Sequence, residues 1–245
     1  MSETTIWLVR HGESTWNEAR LVQGQSPHAG PLTERGQRQV TTLAEELAQR
    51  APKAKVIISS DLLRARQSAD ILANRLNVPV RLERRLREQS LGVLEGTRLD
   101  ENFDGHTVRE ALNNLWHDED RRHLGPSEGE SVTALYERVS TLLADIAAEF
   151  HGADVILVTH GGPMRAALAA CAGGIAHCRR YEIANASILA MQLHSNRDAS
   201  RRGVAWEAVV GSLLTGPEAD EAFAEDMETV RESIGPMPPD PWQRS

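Results

Sequence analysis

The chain has 245 residues, a formal net charge of −8 at pH 7 and only two cysteines, Cys171 and Cys178. This length fits one large or two small domains with a substantial core, and the charge argues against binding to nucleic acid or an anionic membrane. No apolar run approaches the roughly 18 residues that span a bilayer, and the N-terminus does not resemble a signal peptide. Neither cysteine lies in a C-x-x-C arrangement, so no zinc site or disulfide framework is predicted, and we expect a cytoplasmic protein.

The acidic charge is concentrated at the C-terminus. Residues 215–245 contain eight acidic residues and two arginines, together with the proline-rich ending "GPMPPDPWQRS". We therefore predict a domain over residues 1–214 and an acidic, proline-rich extension over residues 215–245. The nearly neutral body can still hold a locally cationic pocket for a small anion.

Strands and helices alternate along the predicted domain. The predicted elements are a strand at residues 4–9, a helix from the N-cap Thr33 to about residue 50, a strand at 56–59, a helix at 62–76, a strand at 78–82, a helix at 131–150, a strand, turn and helix at 154–172, and strands at 187–193 and 204–210. This order predicts a three-layer α/β/α fold, with a mainly parallel sheet between helices. Residues 97–127 are polar and long for a connection, so we expect small helices there and a lid that determines specificity.

Ionisable residues follow the ends of three predicted strands. "TIWLVRHGE" and "DVILVTHGG" both run from an apolar strand into His-Gly, and "KVIISS" runs into a helix whose first turn carries Arg64. In an open α/β sheet, ligands bind beyond the carboxyl ends of the strands. We therefore expect Arg10, His11, Arg64 and His160 to meet at one edge.

Such a cluster of cations and imidazoles requires an anion to compensate it. A phosphoryl group fits, because guanidinium groups match its oxygens and a neutral imidazole can attack its phosphorus near pH 7. Two histidines without a carboxylate at ligand spacing do not define a metal site, so neither a metal nor another cofactor is predicted.

Five separated motifs, in order along residues 4–193, resemble those of the histidine phosphatase superfamily, also called the phosphoglycerate mutase-like family. They are "LVRHGES-WN" at 8–17, "SSDLLRARQSA" at 59–69, "LREQSLGVLEG" at 86–96, "SEGES" at 127–131 and "VTHGG" at 158–162. The resemblance implies a phosphoglycerate mutase-like fold and a reaction through a phosphohistidine.

The same resemblance implies roles for individual residues. His11 corresponds to the nucleophile, and Glu88 corresponds to the acid that protonates the leaving oxygen. The phosphate-pocket partners of His11 are Arg10, Arg64 and His160. The residues expected to bind the substrate are Asn17, Gln23, Gly24 and Gly161. Glu13 and Glu130 follow motif glycines, and we expect them to orient loops or hold an arginine. Arg66 matches no motif position and is expected to be solvated.

Three functions are compatible with these motifs. The first is a phosphomonoesterase acting on a small phosphorylated metabolite, and the second is a phosphoglycerate mutase. The third is a non-catalytic protein that binds a phosphorylated ligand. The resemblance implies that a mutase would carry a longer insertion after the "EG" motif, with basic residues that bind the substrate carboxylate. The comparatively short segment between Gly96 and Gly129 therefore favours the phosphatase, whereas the pair Arg121 and Arg122 could bind a carboxylate. Oligomeric state is open, with a homodimer as the commonest arrangement.

Overall fold

The computed structural model describes residues 4–117, 126–171, 174–175, 183–193 and 206–207. The strands are β1 (Thr4–Arg10), β2 (Ala54–Ser59), β3 (Val80–Leu82), β4 (Asn102–Phe103), β5 (His106–Thr107), β6 (Asp154–Thr159), β7 (Ile188–Leu193) and β8 (Trp206–Glu207). The α-helices are α1 (Thr15–Glu18), α2 (Glu34–Arg50), α3 (Leu63–Leu76), α4 (Val108–His117), α5 (Val132–Glu149) and α6 (Gly161–Cys171). Short 3₁₀ turns occupy Arg84–Leu86 and Gly92–Leu94.

The central sheet has six strands in the order β3-β2-β6-β1-β7-β8. Strands β1, β2, β3 and β6 run parallel, whereas β7 pairs antiparallel with β1 and β8 pairs antiparallel with β7. The predicted α/β class with a mainly parallel sheet is therefore confirmed. Strand β6 lies between β1 and β2, so the carboxyl ends of these three strands are neighbours.

Both faces of the sheet are buried beneath helices. Along β1, Ile6 and Leu8 join a cluster with apolar residues of α5 and α6, whereas Trp7 and Val9 join one with residues of α2 and α3. This alternation follows from the two-residue period of a strand. A sheet covered on both faces needs apolar residues at successive positions, which explains why β1 and β6 are continuous apolar runs.

The boundaries of the main helices agree closely with the sequence prediction. Thr33 caps α2, and its side chain accepts a hydrogen bond from the backbone N–H of Gly36 at 2.9 Å. Ser131 caps α5 in the same way, through the N–H of Ala134 at 3.1 Å. None of the helices in the described ranges is long and apolar enough to cross a lipid bilayer.

The segment over residues 97–127 differs in part from the prediction. It contains the helix α4, as expected, but also the β4–β5 hairpin, which the polar sequence did not indicate. Residues 118–125, with Arg121 and Arg122, lie outside the described residues, as does the predicted extension over residues 215–245.

Candidate active site

Parallel pairing brings the predicted site residues to one edge of the sheet. In the register of β1 and β6, Arg10 lies opposite Thr159, and the N–H of His11 donates to the carbonyl of Thr159 at 3.0 Å. His11 and His160 therefore follow neighbouring strand ends. Their ring centroids are 5.0 Å apart, with planes inclined by 60°.

The hydrogen bonds of His11 define its tautomer. Its Nδ1 lies 2.7 Å from the carbonyl oxygen of Gly12. A carbonyl only accepts, so Nδ1 carries the proton and Nε2 keeps its lone pair. That Nε2 accepts a hydrogen bond from Nε of Arg64 at 3.2 Å. The ring thus presents an unprotonated nitrogen beside a guanidinium group, as a nucleophile for phosphorus requires.

Burial and neighbouring cations keep both histidines neutral. Desolvation, followed by Arg64 and Arg10, lowers the pKa of His11 well below its usual value. The pKa of His160 is also well below its usual value. The largest cause is desolvation, followed by Arg64, His11, Arg10 and Arg138. The side chains are almost fully enclosed, with 2% exposure for His11 and none for His160.

Arg64 is a buried cation on the first turn of α3. Burial is the main cause that lowers its pKa, to about 10, so the guanidinium remains charged at neutral pH. It also donates from Nη2 to the carbonyl of Gly24 at 3.0 Å. Arg66, two residues later, is exposed as predicted.

Arg10 and Glu88 both approach Gly161, the first residue of α6. Arg10 donates from Nη1 to the carbonyl of Ile183. A Cβ atom placed on Gly161 would lie 3.9 Å from Oε2 of Glu88 and 4.0 Å from Nε of Arg10. Glu88 accepts hydrogen bonds at Oε1 from the N–H groups of Gly162 at 3.0 Å and Gln89 at 2.8 Å. The carboxyl group of Glu88 is therefore held by backbone N–H groups close to Gly161 and Arg10.

The loop that carries Glu88 is held by a partly buried ion pair. Arg138 of α5 pairs with Glu130 through bonds of 2.7 and 2.6 Å, and it donates to the carbonyls of Arg85 at 2.7 Å and Arg87 at 3.0 Å. Glu130 therefore holds an arginine, as its sequence position indicated.

Glu13 has a similar structural role in the first loop. It accepts from the hydroxyl of Thr33 at 2.8 Å and lies 3.6 Å from Arg35. Its contacts join the loop after β1 to the start of α2.

The predicted substrate-side residues lie around this centre but contact the protein itself. Oδ1 of Asn17 accepts from the N–H of Ser14 at 3.1 Å, and Oε1 of Gln23 accepts from the hydroxyl of Ser14 at 2.8 Å. Gly24 has a positive φ of 47°, and a Cβ there would come within 2.2 Å of Glu95. This left-handed backbone conformation favours glycine, and a side chain there would also displace the Glu95 carboxyl group.

Sequence reasoning assigned no role to several residues that organise the site. Nδ2 of Asn185 donates to the carbonyl of His11 and to Oδ1 of Asn17, both at 3.2 Å. Ser68 accepts from the N–H of Gly12 at 3.1 Å and donates to the carbonyl of Arg64 at 2.8 Å. Ser60 and Ser68 lie within the "SSDLLRARQSA" motif, which was the available signal, whereas Asn185 belongs to no motif.

Metal-ligating side chains do not converge within the described ranges of the chain. Among the described residues, no group of three or more histidine, cysteine, aspartate or glutamate side chains could hold a metal ion.

A mainly parallel α/β sheet that brings two histidines, two arginines and a glutamate together beyond the carboxyl ends of its strands is an arrangement that suits the binding of a phosphoryl group. Residues 6–204 match the model of the histidine phosphatase superfamily (branch 1). The chain therefore belongs to the histidine phosphatase superfamily.

Individual relatives include proteins named as mutases and as phosphatases. The chain is 34% identical over 220 residues to the Salmonella paratyphi A protein named "Probable phosphoglycerate mutase GpmB", covering 88% of this chain and 97% of that one. A solved mycobacterial glucosyl-3-phosphoglycerate phosphatase, in complex with VO3, is 28% identical with a TM-score of 0.72, covering 86% and 99%. A structure named mycobacterial hydrolase 1 is 30% identical with a TM-score of 0.72, covering 84% and 97%. The chain is thus an enzyme of this superfamily, and its relatives include proteins named as phosphatases and as mutases.

The two buried neutral histidines predict a loss of stability in mild acid. Their folded pKa values lie below the unfolded value of about 6.5, so the unfolded chain binds more protons as the pH falls. The stabilisation is complete above pH 6.5 and should decrease below it, by about 1 kcal/mol per histidine for each pH unit. Urea unfolding between pH 7.5 and 5.0 measures this dependence.

The test variant is His160→Asn, and its matched control is His151→Asn. His151 is a suitable control because it is exposed and lies at the opposite edge of the sheet. His160→Asn should reduce the slope of the unfolding free energy against pH by about half, because His11 still contributes, and His151→Asn should leave the slope unchanged. Equal slopes in wild type and His160→Asn would show that His160 is not held neutral.

Proposed function

We propose that this protein is a phosphomonoesterase that hydrolyses a small phosphorylated metabolite through a phosphohistidine on His11. The observation that carries the proposal is the 3.2 Å contact between Nε of Arg64 and the unprotonated Nε2 of His11. The site is buried and contains a second imidazole, that of His160, whose ring centroid lies 5.0 Å from the centroid of the His11 ring. A neutral nucleophile and fixed cations are together the requirements for attack on a phosphate ester.

The first half of the reaction transfers the phosphoryl group to the enzyme. When a phosphoryl oxygen takes over the hydrogen bond from Nε of Arg64, the Nε2 lone pair of His11 is free to attack phosphorus, and the bond from phosphorus to the leaving oxygen breaks. Glu88, acting as an acid, gives its proton to that oxygen. Arg10, Arg64 and His160 stabilise the charge on the three remaining phosphoryl oxygens.

The second half returns His11 to its starting form. Glu88 accepts a proton from a water molecule whose oxygen attacks phosphorus. The bond from Nε2 to phosphorus then breaks, its electron pair returns to the imidazole, and inorganic phosphate leaves. We propose that the reaction needs no metal, because the guanidinium groups supply the positive charge that metal ions supply at other phosphoryl-transfer sites.

Hydrolysis is favoured over mutase activity by two observations. The connection between Gly96 and Gly129 is shorter than the insertion expected of a mutase of this family. In addition, the solved structures with a similar fold include a phosphatase. The second candidate is a phosphoglycerate mutase, which the similarity to the GpmB protein favours. The two reactions share the phosphohistidine and differ in whether water or a substrate hydroxyl accepts the phosphoryl group.

A broad panel of phosphorylated metabolites, assayed with EDTA present, tests the reaction type. We expect equal release of inorganic phosphate and dephosphorylated product, without a bisphosphorylated primer. Conversion of 3-phosphoglycerate to its 2-isomer that depends on 2,3-bisphosphoglycerate and exceeds phosphate release would instead identify a mutase. Binding of phosphate esters without either reaction would identify a non-catalytic protein.

The His11→Ala variant tests the nucleophile. Turnover should fall by about three orders of magnitude or more, because the variant lacks the imidazole that forms the covalent intermediate. Acid-labile radiolabel from a ³²P-labelled substrate should be trapped on wild type and not on the variant. His151→Ala, which removes an exposed histidine remote from the site, should retain wild-type activity. Substantial labelling of folded His11→Ala would remove His11 from this role.

The Glu88→Gln variant tests the general acid. Rates with alkyl phosphates should fall by about 10²-fold or more, and less with p-nitrophenyl phosphate, whose leaving oxygen needs little protonation. The comparison is the dependence of kcat/KM on leaving-group pKa. Glu83→Gln is the control, because Glu83 contacts Arg85 rather than the site. Equal losses for all leaving groups would assign the acid to another residue.

A further inference from the structure

Ser60 is a buried residue that the reaction scheme above does not use. It follows β2, and its N–H donates to the carbonyl of Val158 in β6 at 2.9 Å. Its hydroxyl oxygen lies 2.8 Å from Nε2 of His160, and neither residue has any exposed surface. The pairing of β2 with β6 therefore sets the hydroxyl against the second histidine.

The protons around Ser60 favour one tautomer of His160. The Ser60 oxygen already accepts a hydrogen bond from the N–H of Leu62 at 3.3 Å. Its own proton then needs an acceptor, and Nε2 of His160 is the one that its described contacts provide. The pKa of His160 lies well below its usual value, so the ring carries one proton at neutral pH. If Ser60 donates to Nε2, that proton must be on Nδ1.

The opposite tautomer leaves more buried groups without a hydrogen bond. Nδ1 of His160 has no hydrogen-bond partner among the described residues. With the proton on Nε2, both the Ser60 proton and the Nδ1 lone pair would be unsatisfied. With the proton on Nδ1, only that N–H is unsatisfied, and an anionic oxygen can accept from it. An Nδ1 lone pair would instead repel such an oxygen.

We propose that Ser60 is a positioning residue that fixes His160 as the Nδ1–H tautomer, so that Nδ1–H donates to a phosphoryl oxygen. The identity of that acceptor rests on the proposed function, whereas the tautomer does not. Ser60 acts through His160 and does not itself contact the substrate. The second histidine is thereby prepared as a hydrogen-bond donor before any ligand arrives, which avoids reorganisation during the reaction.

Nuclear magnetic resonance of the ¹⁵N-histidine-labelled full chain tests the tautomer directly. Long-range ¹H–¹⁵N spectra at pH 7.5, assigned with His160→Asn, should show a protonated Nδ1 and an unprotonated Nε2 for His160. The Ser60→Ala variant should lose this single pattern. A protonated Nε2 in wild type, or an unchanged pattern in folded Ser60→Ala, would overturn the proposal.

The matched control is Ser59→Ala, which removes another fully buried hydroxyl. The Ser59 hydroxyl donates to the carbonyl of Ser60 at 2.9 Å rather than to either histidine. Ser60→Ala should weaken inhibition by inorganic phosphate and vanadate by about tenfold and lower kcat/KM by about 10–100-fold. Ser59→Ala should remain within about threefold of wild type and keep the His160 pattern. Equal losses in both variants, with the pattern intact, would reduce Ser60 to a packing role.

The two proposals fail in distinguishable ways. If no phosphate ester is hydrolysed but the spectra show Nδ1–H that depends on Ser60, the proposed function is wrong and the tautomer assignment stands. If hydrolysis through His11 is observed but His160 is protonated on Nε2, the role of Ser60 is wrong and the proposed function stands.

Discussion

The site depends on one electrostatic constraint, which is that two guanidinium groups and two imidazoles share a nearly closed space. Arg64 stays charged because burial lowers the pKa of a guanidinium only to about 10. Imidazoles titrate much closer to neutrality, so the same burial and the same cations hold His11 and His160 neutral. The constraint therefore separates the roles. The arginines remain charged, His11 keeps a lone pair on Nε2, and His160 is proposed to keep a hydrogen-bond donor on Nδ1.

The sequence was sufficient for the parts that repeat a simple pattern. The strand ends at Arg10 and Thr159 could be located because each apolar run stops at His-Gly, and parallel strands carry their carboxyl ends to one edge. The cap at Thr33 and the apolar spacing of α5 placed the main helices to within a few residues. Short elements were harder. The hairpin at Asn102–Phe103 and His106–Thr107 is two residues deep, and such pairing depends on tertiary contacts rather than on local propensity.

The supporting residues could not be found in this way, because their roles are defined by which backbone groups they reach. Asn185 is 174 positions from His11 in the chain, yet its amide donates to the carbonyl of His11. Arg138 is one of several polar residues on α5, and its importance becomes visible only through the carbonyls of Arg85 and Arg87. The motif containing Ser60 was recognisable, but the tautomer that its hydroxyl favours required the 2.8 Å contact to His160.

The proposed acid and the proposed phosphate-binding groups are held by different parts of the fold. His11, His160 and Arg64 follow strand ends that the sheet itself aligns, whereas Glu88 lies on a loop held by the pair of Arg138 and Glu130. A partly buried ion pair of this kind contributes little net stability, because desolvation offsets its attraction, but removing either partner leaves a poorly compensated charge. The pair is thus better suited to fixing the loop in one position than to stabilising the fold. In the proposed reaction, Glu88 can then be oriented independently of the groups that would bind phosphate, so changes in nearby loops can alter the choice of leaving group without disturbing His11.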